Sequence, residues 1–216
     1  MKVIAINGSP RKTWNTATLL EKVLEGAASS GARTELVHLY SLRYQGCISC
    51  FACKTIGGKS FGKCAVKDDL SDVLENCLAA DALVLGSPIY LGSTTGGMRS
   101  FLERLVYPPL SYHELWGSIF PRSMKTAFIY TANVPEDRIH DFCGQQIKLT
   151  EAMLPRIFKA PSETLLCCET YQFEDYSKMA CGIFDEKQRA QRRREVFPID
   201  CQKAFDLGVR LTTNPE

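Results

Sequence analysis

The sequence predicts an α/β fold, a parallel sheet of five strands with helices on both faces. Short apolar runs of strand length alternate along the chain with stretches of 3.6-residue periodicity. The runs are continuous rather than alternating in polarity, as in strands covered on both faces. A chain of 216 residues, 45% of them hydrophobic, can bury a sizeable core within one such domain. Residues 1–216 are therefore expected to form a single domain, with a cysteine-rich insertion at about 45–67.

Val3–Ile6 opens the pattern as a buried strand and ends in Asn7-Gly8-Ser9-Pro10, a tight loop. Thr16–Ser30 carries Leu19, Leu20, Val23 and Leu24 at helical spacing and stops at Gly31. Glu35–Tyr40 alternates as a second strand. Asp68 and Asp69 precede Leu70, Val73, Leu74, Cys77 and Leu78, which places acidic residues where a helix dipole favours them. Ala82–Gly86 is a third strand closed by Ser87-Pro88, and Thr95–Val106 is helical through Met98, Phe101, Leu102 and Leu105. Lys125–Thr131 is a fourth strand, Asp141–Phe158 a helix, Glu163–Thr170 a fifth strand, and Glu186–Leu211 a helical region broken near Pro198. Such alternation places a ligand at the carboxyl ends of the strands.

Twenty-six basic and 24 acidic residues leave a formal charge of +2, so no strong field points to nucleic acid or an anionic membrane. The start, MKVIAINGSP, has too short an apolar stretch for a secretory signal or a membrane span, and the chain reads as cytoplasmic. In that reducing setting, clustered cysteines among the ten point to metal or redox chemistry.

The loop Gly8–Thr16 joins a buried strand to a helix, where free N–H groups and the helix dipole make an anion site. Ser9, Asn15 and Thr16 add short donors and Arg11 a cation. Two other phosphate motifs fail: only one of the three glycines of a dinucleotide fingerprint is present, and Gly57-Gly58-Lys59-Ser60 lacks the first glycine and the strand of a P-loop. The segments GSPRKTWNT and SPIYLGSTTGGMRSFLERL resemble the two FMN-binding signatures of the NADPH-dependent FMN reductase family, within the flavodoxin-like superfamily. This resemblance implies a three-layer flavodoxin-like sandwich with strand order 2-1-3-4-5. It implies that Ser9, Arg11, Asn15 and Thr16 hold the FMN phosphate and that Pro88, Ile89, Tyr90, Leu91 and Gly92 line the isoalloxazine ring. Thr131, or Asn133, is expected to supply a third contact after the fourth strand. An apolar wall with nearby backbone donors suits a flat ring with a polar edge.

Cys47, Cys50 and Cys53 stand three residues apart, with Cys64 after a longer gap. On spacing alone three readings stay open: an iron–sulfur cluster, free thiols or an adventitious disulfide, and zinc. The motif resembles that of iron–sulfur flavoproteins, a branch of the same family, and this implies a [4Fe–4S] cluster near the FMN. The gap from Cys53 to Cys64 exceeds the compact form of that motif, which leaves the fourth ligand open.

The expected function is FMN-dependent electron transfer from NAD(P)H to a small acceptor such as a quinone or a flavin. A chain this short leaves no room for a separate nicotinamide domain, so donor and acceptor are expected to share one flavin face in ping-pong turnover. The alternative is an iron–sulfur flavoprotein exchanging electrons with ferredoxin through the cluster. A basic helical face at Lys187, Arg189 and Arg192–Arg194 reads as solvated surface or as a dock for such an acidic partner. The family also implies a homodimer or homotetramer, and the apolar stretch Tyr107–Arg122, with Leu115 and Trp116, is expected to wall the ligand, meet another subunit or form a satellite core. Cys77, Cys167 and Cys168 read as small core residues. His38, His113 and His140 show no local partner pattern.

Overall fold

A computed structural model describes residues 1–113 and 117–213. The main strands are β1 (Lys2–Asn7), β2 (Arg33–His38), β3 (Ala82–Tyr90), β7 (Lys125–Thr131) and β8 (Ser162–Cys167), all parallel and ordered β2-β1-β3-β7-β8. This is the flavodoxin-like order 2-1-3-4-5 expected for the five main strands. Two-residue strands complete the set: β4 (Ser93–Thr94) pairs antiparallel with β3, and β5 (Leu110–Ser111) pairs with β6 (Gly117–Ser118).

Successive strand residues face opposite sides, so each strand feeds two cores. Ile4, Ile6, Leu83, Leu85 and Phe128 pack with helices α2 (Leu70–Ala79), α3 (Gly96–Val106) and α4 (Ile139–Phe158). Val3, Ala5, Val84, Ala127 and Ile129 pack with α1 (Asn15–Ser29) and α6 (Phe197–Thr212). The contact between α1 and α6 is backbone-close: a Cβ on Gly208 would stand 1.9 Å from the Val23 carbonyl oxygen, and one on Gly26 1.9 Å from that of Phe205. Among the described residues no helix is long and apolar enough to cross a membrane.

Element types follow the sequence; several boundaries do not. The second strand begins at Arg33, and Leu39–Ser41 is a short 3-10 turn. The third strand runs past Gly86 to Tyr90, because Ile89 and Tyr90 pair with β4. The fifth strand stops at Cys167, and Glu169 turns the chain at φ 53°. The last helical region divides into α5 (Glu186–Glu195) and α6 at Val196, with Pro198 in the first turn of α6, where proline lacks no needed donor.

In its described part, the apolar stretch Tyr107–Arg122 buries Phe120 in the main core of its own chain and leaves Tyr112 exposed. Phe120 joins the core edge-on to Phe158, with ring centroids 5.1 Å apart, and Lys54 sits over the Tyr107 ring while donating to the Tyr107, Pro108 and Leu110 carbonyls. The expectations for Leu115 and Trp116 fall outside the described residues.

Candidate functional site

The loop after β1 is held from within. The Asn7 side chain accepts from Ser9 N at 2.9 Å, and its amide meets His38 Nδ1 at 3.0 Å. Burial first, then the charge of Lys12, lower the proton affinity of His38, which suits an accepting Nδ1. Ser9 Oγ accepts from Arg11 N, and Gly8 N donates to the Gly86 carbonyl, tying this loop to β3. Trp14 stands at the N-cap of α1 without a side-chain cap, so the first-turn N–H groups are left for an anion or solvent.

The loop after β3 is coupled to the first by Thr95, which is wholly buried. Its hydroxyl donates to the Gly8 carbonyl at 2.6 Å and accepts from Met98 N as the cap of α3, while Thr95 N donates to Ser87 Oγ at 3.1 Å. The hydroxyl and the N–H of Thr95 thus join the two loops, beside the bond from Gly8 N to the Gly86 carbonyl. Pro88, Ile89 and Tyr90 face a common cavity with Ser9, Arg11, Trp14, Asn15 and Thr16. Leu91 does not: at φ 50° it forms the apex of the β3–β4 turn and projects fully into solvent. Gly92 lies on a neighbouring groove, with its Cβ position 2.7 Å from the Phe142 carbonyl oxygen.

Two more segments close the cavity. Thr131 bonds Thr16 hydroxyl to hydroxyl at 2.8 Å, and Ala132 and Asn133 follow it along the wall. The second segment, Thr170–Phe173, contributes Thr170, Gln172 and Phe173 and escapes sequence reasoning. Trp14 Nε1 and Asn15 Nδ2 both donate to the Tyr171 carbonyl, at 3.0 and 2.9 Å, and Arg11 donates to that of Gln172. Its place just after the last strand was the available signal, because ligand-binding loops gather at carboxyl ends of parallel strands.

The basic stretch of α5 is only in part free surface. Arg189 is buried against Glu169 and the Asn133 carbonyl, Arg192 pairs with Asp200 at 2.7 Å, and Arg193 donates to Asn15 Oδ1 at 2.7 Å. Those guanidinium groups brace the last wall and α1; only Lys187 and Arg194 of the set stay exposed. These partners lie just after β8, on α6 and on α1, far from α5 in sequence, so no local pattern in the helix marks them.

The cavity holds about 110 Å³ and is open at its mouth. It joins an anion-ready helix N-terminus to an apolar, aromatic wall. Asn133 Oδ1 is buried there without a partner among the described residues, an acceptor left for a ligand donor. The set suits a ligand with a phosphate at one end and a flat ring at the other.

The four candidate cysteines line a second, small apolar pocket with Phe51, Glu103, Arg104, Tyr107 and Pro108. Cys47 and Cys50 are exposed, Cys53 is buried and Cys64 half-buried. Ser49 and Phe51, both at φ 54°, flank Cys50 in left-handed backbone. Among the described residues no three His, Cys, Asp or Glu groups are gathered tightly enough for a single ion; a cubane binds each thiolate to a different iron and so needs them farther apart. This pocket lies along the C-terminal half of α3, at Glu103, Arg104 and Tyr107, away from the Thr95 cap. Cys77, Cys167 and Cys168 are buried as core residues.

Among known proteins, an iron–sulfur flavoprotein of Archaeoglobus fulgidus is 37% identical over 120 residues, covering 56% of this chain and 56% of that protein. An iron–sulfur flavoprotein of Methanocaldococcus jannaschii is 36% identical over 104 residues, covering 48% of this chain and 51% of that protein. The chain thus spans little more than half the length of these relatives. A solved NAD(P)H:quinone oxidoreductase from Methanothermobacter marburgensis superposes with a TM-score of 0.66, covering 100% of this chain and 98% of that one at 14% identity, a likeness of fold. The sequence profile described as NADPH-dependent FMN reductase matches residues 1–120, which carry β1 to α3 and both loops joined through Thr95, and the chain belongs to that family.

Proposed function

We propose that the chain is an FMN-dependent oxidoreductase that takes electrons from NAD(P)H and delivers them to a small acceptor such as a quinone or a flavin. The observation that carries this reading is the cavity in which the uncapped N-terminus of α1 stands opposite Pro88, Ile89 and Tyr90. The redox chemistry is that of the bound flavin. Ser9, Arg11, Asn15, Thr16 and the first-turn N–H groups of α1 hold its phosphate; Arg11 and Asn15 also anchor Tyr171 and Gln172, so phosphate and wall are held together. Pro88, Ile89, Tyr90 and Thr131 flank the ring, and Asn133 Oδ1 accepts from its polar edge. Leu91 and Gly92 shape the turn rather than the cavity wall.

A second reading is favoured by four cysteines around one pocket and by relatives named iron–sulfur flavoproteins. In it Cys47, Cys50, Cys53 and Cys64 hold a [4Fe–4S] cluster that exchanges electrons with the flavin and with a protein donor such as ferredoxin. An anaerobic absorption spectrum with iron and acid-labile sulfide assays, on protein reconstituted with FMN, tests both. Flavin bands with bleaching by NAD(P)H support the first reading. Iron and sulfide at cluster stoichiometry add the second, and protein that takes up no flavin overturns both.

A further inference from the structure

We propose that Arg104 is the positioning residue of the cysteine site: its Nε–H fixes Cys64 as the fourth thiolate, and its buried charge raises the reduction potential of the cluster held there. This rests on the cluster reading above. The long gap from Cys53 to Cys64 left that fourth ligand open, and the fold closes it. The Gly62 N–H returns to the Cys53 carbonyl at 2.9 Å, and the chain then brings Cys64 to the pocket that Cys47, Cys50 and Cys53 line.

Arg104 comes from α3, outside the cysteine segment, and its side chain is 0% exposed. One face of its fork closes the neck of the insertion. Nη1 donates to the Gln45 carbonyl and to Asp68 Oδ2, and Nη2 to the Val66 carbonyl. The remaining edge, Nε–H, donates to Cys64 Sγ at 3.3 Å. A guanidinium this buried needs compensating charge. Asp68 supplies it in the folded chain, and a metal-bound thiolate at Cys64 would be a second acceptor.

Donors and positive charge beside a cluster sulfur draw electron density from it. They favour the reduced, more negative state, and so raise its potential. Were Arg104 only a tie for the insertion, its loss would change folding or iron content and leave the potential alone.

The test is a redox titration of anaerobically reconstituted protein, followed by visible absorption and by the spin signal of the reduced cluster, with iron and sulfide counted in parallel. Arg104→Gln should shift the reduced-to-oxidised ratio at fixed potential at least tenfold toward oxidised, about 59 mV for a one-electron couple. Arg104→Lys, which keeps the charge, should recover at least half of that shift. Should Arg104→Gln fail to fold, Asp68→Asn carries the test: leaving Arg104 in place without its carboxylate, it should shift the ratio in the opposite sense. Cys64→Ser should lower the iron count. Wild-type protein that takes up no iron overturns the cluster reading together with this inference. A full cluster in the wild type, with an unmoved potential in Arg104→Gln or Asp68→Asn or an unchanged iron count in Cys64→Ser, overturns the inference alone.

Discussion

Replacing Thr95 with valine changes shape little but removes the hydroxyl that joins the two ligand loops. The Gly8 carbonyl loses its 2.6 Å donor in a buried place, and Met98 N loses its cap. A missing N-cap costs about 1 kcal/mol, and a buried carbonyl left unpaired about 1–3 kcal/mol; the sum is about 2–4 kcal/mol. For a chain of this size each kcal/mol moves the melting temperature by about 2–4 °C, so Thr95→Val should melt about 5–15 °C below the wild type. One broken bond at the Gly8 loop, about 1.4 kcal/mol, should weaken FMN roughly tenfold. Thermal unfolding without flavin and fluorescence titration with FMN read the two effects separately, and Thr95→Ser should restore both. A Thr95→Val protein that melts within about 2 °C of the wild type and binds FMN equally well would show that the bracket between the loops carries no energy.

Two further outcomes follow from the packing and charge of the fold. Gly208→Ala forces a Cβ onto the Val23 carbonyl, so α6 must move off α1; urea unfolding should show a loss of about 3 kcal/mol, the upper part of the usual overpacking range, and an unchanged midpoint would contradict the close contact. At Asp68 burial pushes the carboxyl up, but the Arg104 hydrogen bond and charge, with the Leu70 and Gln45 N–H groups, prevail and hold it below its ordinary value. Its stabilisation is therefore complete above the unfolded value of about 3.9 and disappears as pH falls through the folded value. Asp68→Asn should cost on the order of 3 kcal/mol at pH 7, with the gap to wild type closing as the solution is taken to pH ~3; a gap that stays constant with pH would mean the pair is not ionic.

The sequence by itself determined the alternation of strands and helices, the parallel sheet and the place of the first two ligand loops, because these rest on local signals. Apolar runs, Gly8, Ser87-Pro88 and the helical spacing of Leu19 to Leu24 act within a few residues of themselves. It also singled out Cys47, Cys50, Cys53 and Cys64 by spacing. Only the tertiary structure decided what joins across the chain. Thr95 reaches Gly8 over 87 residues, Asn15 meets Tyr171 over 156 and Arg193 over 178, and Arg104 meets Cys64 over 40. The basic stretch of α5 shows the cause most plainly. Its charges resemble those of any solvated helix, and whether Arg189, Arg192 and Arg193 face water or a partner depends on Glu169, Asp200 and Asn15. Side-chain direction at such positions is set by which elements the sheet order makes neighbours, and no local pattern records that.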